Sequence, residues 1–364
     1  MVHGPHHSKQ SLQNLKGEIE FRAKLARQHV TGEILLPNYY PKDEHDGILF
    51  DRVKATSEKM TALARLGVQF SPFLELGAER GQRSLVLVND FHASGVAADI
   101  SYHQLGTMEH FSKLFKKPNL PLRICCDANH LPFRNGSFPF VFCYGFLHHF
   151  PALEPVIREI YRVLGNGYFY FDEEPFKRIL KLRLYKQRDS IYARSTLEKS
   201  RFRRFLESFI SESSSDEVDH GIVENENIGL GEWTRALAVF HDRDVDLVSV
   251  GNVTSKLGDH LRFGNIPNVL LGGGISGLCR KADLVGKRHE PARLDPYELL
   301  ACPECVSAST ADGLESSALV RAVEGFRCSR CGATYPERDG ILFLLPRKEL
   351  RELYPGLMTS GGGL

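Results

Sequence analysis

"FLELGAERGQ", Phe73–Gln82, runs from a short apolar segment into a glycine turn, and its reading decides the fold. A loop built for phosphate sets bare backbone N–H groups at a helix N-terminus and keeps negative side chains away. Here Gly77 and Gly81 bracket Glu79, which stands where a middle glycine is expected, and Glu75 precedes the turn. Two carboxylates at that place would repel a pyrophosphate. The turn therefore asks for a ligand that welcomes close backbone approach and negative potential together.

Outward from this stretch the hydrophobic period alternates. "GVAADIS" ends at Asp99, "LRICCDA" at Asp127, "FPFVFCYG" at Gly145 and "GYFYFDEE" near Asp172. Between them lie helix-like segments, "SLVLVNDFHAS", "YHQLGTMEHFSKLF" and "LEPVIREIYRVLG". Strands alternating with helices predict an α/β fold, a Rossmann-like parallel sheet with helices on both faces. A ligand crevice then lies at the carboxyl ends of the strands. Upstream, a helix is expected over roughly 9–28, and a second, amphipathic one over 49–66 from the spacing of Phe50, Val53, Met60, Leu63 and Leu66. Downstream, "EWTRALAVFHDRDVDLVSV" reads as a helix entering a strand, and "VLLGGGISGLCRK" as the last strand or hairpin of the main domain, which spans 45–284 after an extension over 1–44.

S-adenosylmethionine meets the demand of the glycine turn, because it has no phosphate and carries an ammonium and a sulfonium. On that reading Gly77 admits the cofactor and Glu75 adds negative potential near its amino-acid end. Over residues 70–175 the chain resembles the class I S-adenosylmethionine-dependent methyltransferases. "LELGAERG" is similar to the family's first motif, "FVFCYGFLHHF" to its fourth strand and following loop, and "IREIYRVLGNGYFYF" to the helix, turn and fifth strand. The departure is Glu79. The resemblance implies that Asp99 accepts from the ribose hydroxyls and that Asp127 with Ala128 meets the adenine. It further places Glu75, Gly77, Ala78, Gly81, Ile100 and Tyr144 at the cofactor. The loop after the fourth strand faces the methyl group in this family, so His148 and His149 are the candidates for a base or acceptor contact. The same histidines also suit helix capping or packing. Tyr144-Gly145-Phe146-Leu147 is unlike the N-P-P-Y of enzymes that methylate nucleobase or glutamine amino groups, and is similar to the subgroup acting on small molecules, quinone precursors and lipids.

Near the C-terminus, Cys302, Cys305, Cys328 and Cys331 form C-x2-C, 22 residues, C-x2-C. Two such knuckles bring four thiolates to one tetrahedral site, closed and therefore structural. The spacing favours zinc over an iron–sulfur cluster. A small β-rich zinc ribbon is expected over 295–346, after a charged linker at 285–294 and before a tail at 347–364. "LLACPEC" with "YPERDGI" resembles the small zinc-binding activators of methyltransferases. That likeness implies a ribbon packed on its own catalytic domain.

Between the fifth and sixth strands, residues 175–245 are expected as a lid or insertion. Residues 175–205 hold eleven Lys and Arg against two acids, Asp189 and Glu198, a balance of +9. Interleaved with aromatics, this stretch suits RNA, an anionic small molecule or a solvated helix face. The whole chain carries a net charge of +1, so it has no general pull toward nucleic acid. No apolar run reaches the roughly 20 residues that span a bilayer. Paired cysteines read as metal ligands, and buried single ones, fit a reducing, cytoplasmic setting. The leading expectation is O- or C-methylation of a small metabolite or lipid-like acceptor. An RNA methyltransferase and a non-catalytic cofactor-binding regulator remain the other readings.

Overall fold

The computed structural model describes residues 9–36, 42–177, 185–187, 211–213, 222, 225, 228–249, 254–259, 273–282, 295–308, 318–323 and 325–357. Twelve of the described strands, drawn from both expected domains, share one sheet. Its order is β11-β12-β13-β14-β3-β2-β1-β4-β5-β10-β8-β9. The central part holds β1 (Phe73–Leu76), β2 (Gly95–Asp99), β3 (Leu122–Cys125), β4 (Phe138–Tyr144) and β5 (Leu164–Phe176), all parallel. The register pairs Leu76 with both Ala98 and Cys143, and Asp99 with Cys125. The turns after β1, β2, β3 and β4 thus emerge along one carboxyl edge.

Helices cover both faces, as the alternating pattern predicts. On one face α2 (Lys42–Arg65) and α3 (Gln82–Asp90) bury Met60, Leu63 and Leu87 against Phe73, Phe140, Phe142 and Tyr170. On the other, α6 (Leu153–Val163) and α7 (Leu230–Ala236) bury Val156, Ile157, Ile160 and Trp233 against Phe169 and Phe171. Trp233 is fully buried and lies parallel to Phe171, with ring centres 5.4 Å apart. Lys281 closes α6 by donating to the carbonyls of Tyr161 (2.7 Å) and Leu164 (2.6 Å), a cation where the helix dipole is negative.

The helix expected over 9–28 is α1 (Lys9–Thr31), and the one over 49–66 is α2, which starts seven residues earlier than the apolar spacing suggested. "YHQLGTMEHFSKLF" divides into α4 (Tyr102–Gly106) and α5 (Met108–Leu114), because the Thr107 hydroxyl donates back to the Gln104 carbonyl. The strand read as last, β10 (Gly273–Lys281), lies inside the sheet, antiparallel to both β5 and β8 (Asp242–Ser249). Thr254–Lys256, β9, forms the edge beyond β8. Most of the basic stretch and of the acidic serine-rich stretch lies outside the described residues; within them, Tyr185–Gln187 (β6) pairs in parallel with Ser211–Ser213 (β7). No helix among the described residues is long and apolar enough to cross a membrane.

The C-terminal segments join the sheet at β3. Strands β11 (Leu319–Ala322), β12 (Gly325–Cys328) and β13 (Thr334–Arg338) form an antiparallel meander. Then β14 (Ile341–Phe343) pairs in parallel with β3, Leu342 opposite Ile124 and Phe343 opposite Cys125. Leu344 N donates to the Cys125 carbonyl at 2.9 Å. The span 347–364 is expected as a tail, but its first part is ordered: α8 (Arg347–Leu353) and the turn Pro355–Leu357 bury Leu350, Leu353 and Tyr354. Apolar residues at helical spacing after Pro346 account for the difference.

Phe343 has no exposed surface and touches the rings of Tyr102 and Tyr354. Phe343→Ala should cost about 3–5 kcal/mol of stability, read from denaturant unfolding. A loss under about 1 kcal/mol would mean that this seam is not a packed core.

Candidate functional site

Each residue of the carboxyl edge is held by a backbone contact that crosses from one strand to the next. Ala78 N donates to the Ala98 carbonyl at 3.1 Å, and Cys126 N to the Asp99 carbonyl at 3.1 Å. The Asp99 carboxylate accepts from Glu79 N (2.8 Å) and Ser101 N (2.7 Å). A carboxylate has about four acceptor positions, so two amide donors leave Asp99 able to accept from a diol. Burial pushes its carboxyl up to about 6, against those amides. Asp127 is buried and accepts from the backbone and side-chain nitrogens of Asn129, at 2.9 and 3.0 Å. Ala128 follows it in a short 3-10 turn. Glycine turn, Asp99, Ile100, Asp127 and Ala128 are therefore brought together, as the motif order predicts.

The two glutamates of the opening motif behave differently from the expectation that Glu75 serves the ligand directly. Glu75 is buried, and its carboxylate accepts from Ser84 N at 2.9 Å and from the Ser84 hydroxyl. Burial lifts it to about 7 despite Arg83 and Ser84. It anchors the first turn of α3. Glu79 takes a left-handed backbone (φ 48°) and turns its carboxylate to Arg22 of α1 at 3.0 Å. Beside it, buried Arg80 meets His45 Nε2 (2.9 Å) and His29 Nδ1 (3.3 Å), whose rings stack 3.4 Å apart. Burial and then Arg80 push His29 down to about 3 and His45 further, so both rings are neutral and accept from the guanidinium. The N-terminal helices thereby grip the turn. Sequence reading missed Arg22 and Arg80, since nothing local ties α1 to a loop 57 residues away.

Gly77 has φ 63°, and an added Cβ would lie 2.4 Å from Phe146 Cδ2. The ring of Phe146 is thus part of the wall that any ligand at this backbone meets. Tyr144 points to the α2–α3 face, where the Arg83 guanidinium stacks on its ring at 3.9 Å. Arg83 also pairs with Glu173 at 3.0 Å. The loop after β4 is held by Glu174. Its Oε1 accepts from Phe146 N (2.7 Å) and Leu147 N (2.8 Å), and its Oε2 from His148 N (3.1 Å). His148 Nδ1 lies 3.0 Å from the same Oε2. His149 stacks obliquely on His148, with centres 4.3 Å apart. Neither histidine caps α6, whose N-cap is Ala152.

The C-terminal residues reach the same edge. Tyr354 donates its hydroxyl to the Ile100 carbonyl and accepts from Tyr102 N at 3.1 Å, fixing the turn just past Asp99. Farther out, Cys302, Cys305, Cys328 and Cys331 bring all four Sγ atoms within 4.8 Å of one another. The Cys302–Cys331 and Cys305–Cys328 sulfur distances are 3.6 and 3.8 Å. Thiolates about 2.3 Å from one tetrahedral ion are separated by about 3.8 Å, so the donor set fits zinc. The Tyr335 hydroxyl lies 3.0 Å from Cys302 Sγ, and Arg330 N donates to Cys328 Sγ at 3.4 Å. Both are donors of the kind that stabilise thiolate charge.

Residues 74–171 match the profile of a family described as a methyltransferase domain. No curated protein matches the sequence. Among solved structures, the complex between the Haloferax volcanii Trm112 methyltransferase activator and a methyltransferase aligns at 14% identity over 66% of this chain and 95% of that one, with a TM-score of 0.40. YcgJ from Bacillus subtilis aligns at 15% identity over 63% of this chain and 99% of that one, with a TM-score of 0.37. Phosphoethanolamine N-methyltransferase 2 from Haemonchus contortus, in complex with S-adenosyl-L-methionine, aligns at 14% identity over 62% of this chain and 52% of that one, with a TM-score of 0.40. Residues 74–171 thus match a methyltransferase domain, and with strand order β3-β2-β1-β4-β5 at its centre the sheet has the class I methyltransferase fold.

Proposed function

We propose that the chain transfers a methyl group from S-adenosylmethionine to a small metabolite or lipid-like acceptor, by O- or C-methylation. The observation that carries this reading is the carboxyl edge, where Asp99 and Asp127 stand beside a glycine turn facing the His148 loop. When bound, the cofactor supplies an electrophilic methyl on a sulfonium. The chain's own part is to hold the ribose at Asp99 and the adenine at Asp127, Ala128 and Ile100. Phe146 and the loop after β4 would wall the methyl end and exclude water, where alignment accounts for much of the rate. Transfer of labelled methyl into cell extract, fractionated into RNA, protein and small molecules, tests the assignment. Label in the small-molecule or lipid fraction is expected; label in RNA would point instead to the basic stretch at 175–205, and none anywhere to a regulatory binder.

Cofactor binding should depend on pH with a definite sign. The Asp99 carboxyl sits at about 6, and only its ionised form accepts from both ribose hydroxyls. Affinity measured by calorimetry should therefore fall as pH drops from 8 through 6. Asp99→Asn should weaken binding at pH 8 by about tenfold, as losing a charge-assisted hydrogen bond implies. It should also flatten the pH dependence. Equal affinity in the variant would sink the ribose assignment.

We assign the four cysteines to a structural zinc ion. Metal analysis should find one zinc per chain, lost in Cys302→Ser together with the fold of residues 295–346. A folded, metal-free protein would rule this out.

A further inference from the structure

Asp172, Glu173 and Glu174 follow one another near the end of β5, and the three carboxylates go to three different places. The strand carries Phe169 and Phe171 on the α6–α7 face, and Tyr168 and Tyr170 on the other. Strict alternation would put Glu174 with the tyrosines. Instead, the register with β10 slips between Ile275 and Gly277, and Glu173 takes a left-handed conformation, φ 60°. This extra residue shifts the parity, so Glu174 and Phe176 fall on the face of Phe171. Glu173 is left exposed and paired with Arg83. A left-handed glutamate costs about 1 kcal/mol or more, and its effect is to turn the next carboxylate inward, under the loop after β4.

Three backbone donors and one ring nitrogen surround the Glu174 carboxylate there. Three backbone N–H groups, those of Phe146, Leu147 and His148, point at its two oxygens. The fourth contact is His148 Nδ1, on the oxygen that already accepts from His148 N. A carboxylate accepting at both oxygens favours the ring proton on Nδ1, and in the neutral imidazole that leaves Nε2 as the acceptor atom. The ring stands at the carboxyl edge, its Cε1 3.9 Å from where a Gly145 Cβ would be, and 18% of the side chain is exposed.

We propose that Glu174 is a positioning residue that holds His148 as the Nδ1–H tautomer, so that Nε2 serves as proton acceptor for a hydroxyl substrate. This rests on the methyl-transfer reading above and narrows its acceptor to an alcohol, phenol or enol. In the step, the acceptor oxygen bonds to the methyl carbon as the carbon–sulfur bond breaks, and that electron pair stays on sulfur. The hydroxyl proton passes to His148 Nε2. The resulting imidazolium faces the Glu174 carboxylate, then releases its proton to water. A carbon or amine acceptor without an acidic hydroxyl would make no such use of the pair.

Nitrogen-15 NMR of the histidine rings reads the tautomer directly in the wild-type protein, with no acceptor needed. His148 is expected with its proton on Nδ1; a proton on Nε2 would overturn the proposal. Glu174→Gln keeps the shape but replaces one oxygen with an amide donor. Donation to Nδ1 should then drive the ring proton to Nε2, an inversion that loss of loop packing alone would not produce. Calorimetry with S-adenosylmethionine should give unchanged affinity in His148→Gln, which separates failure of this inference from failure of the cofactor assignment. In the extract fraction that accepts label, both variants should lose transfer by about a hundredfold, the usual worth of a general base. Full transfer in His148→Gln, or labelled product methylated on carbon or nitrogen, would also overturn it.

Discussion

The Asp99 carboxylate is the joint on which the carboxyl edge depends. It accepts from Glu79 in the turn after β1 and from Ser101 at the head of α4, while its own carbonyl receives Cys126 after β3. One residue thus fixes the relative positions of three loops. The same group is required to leave capacity for a ligand, so the site must combine rigidity with unspent acceptor positions. A carboxylate suits this because it has more acceptor positions than backbone donors can fill at one place.

Around that joint, support comes from both ends of the chain. From the N-terminal side, Arg22 and the neutral pair His29 and His45 hold Glu79 and Arg80. From the C-terminal side, Tyr354 bridges Ile100 and Tyr102, and β14 occupies the edge of β3. An uncovered β3 would present unpaired N–H and C=O groups to solvent, a hazard that edge strands ordinarily carry. The C-terminal meander and the parallel sheet are therefore one hydrogen-bonded unit. Glu75, expected to lend negative potential to the ligand, also braces the first turn of α3 through Ser84, and Glu79 holds Arg22 of α1.

How much of this was legible in the sequence follows from the range of each interaction. The strand–helix alternation, the acids at the ends of β2 and β3, and the cysteine knuckles are local patterns, and all are found where the spacing put them. The β14–β3 pairing is not local: Arg123 donates to the Asp339 carbonyl across 216 residues, and no periodicity encodes that. The inward turn of Glu174 depends on a bulge whose signal, three acids ending an aromatic strand, reads equally as a solvated loop. The helix α8 is encoded by only two turns of apolar spacing, Leu350, Leu353 and Tyr354, beside a glycine-rich terminus.

The seam between β14 and β3 is short, three residue pairs in register. Two separate proteins joined so briefly would need enough affinity to survive dilution. Here residues 282–294 connect the halves covalently, and a short tether holds its ends at effective concentrations on the order of millimolar. Pairing of β14 with β3 is therefore a unimolecular event, set by the tether and not by expression level.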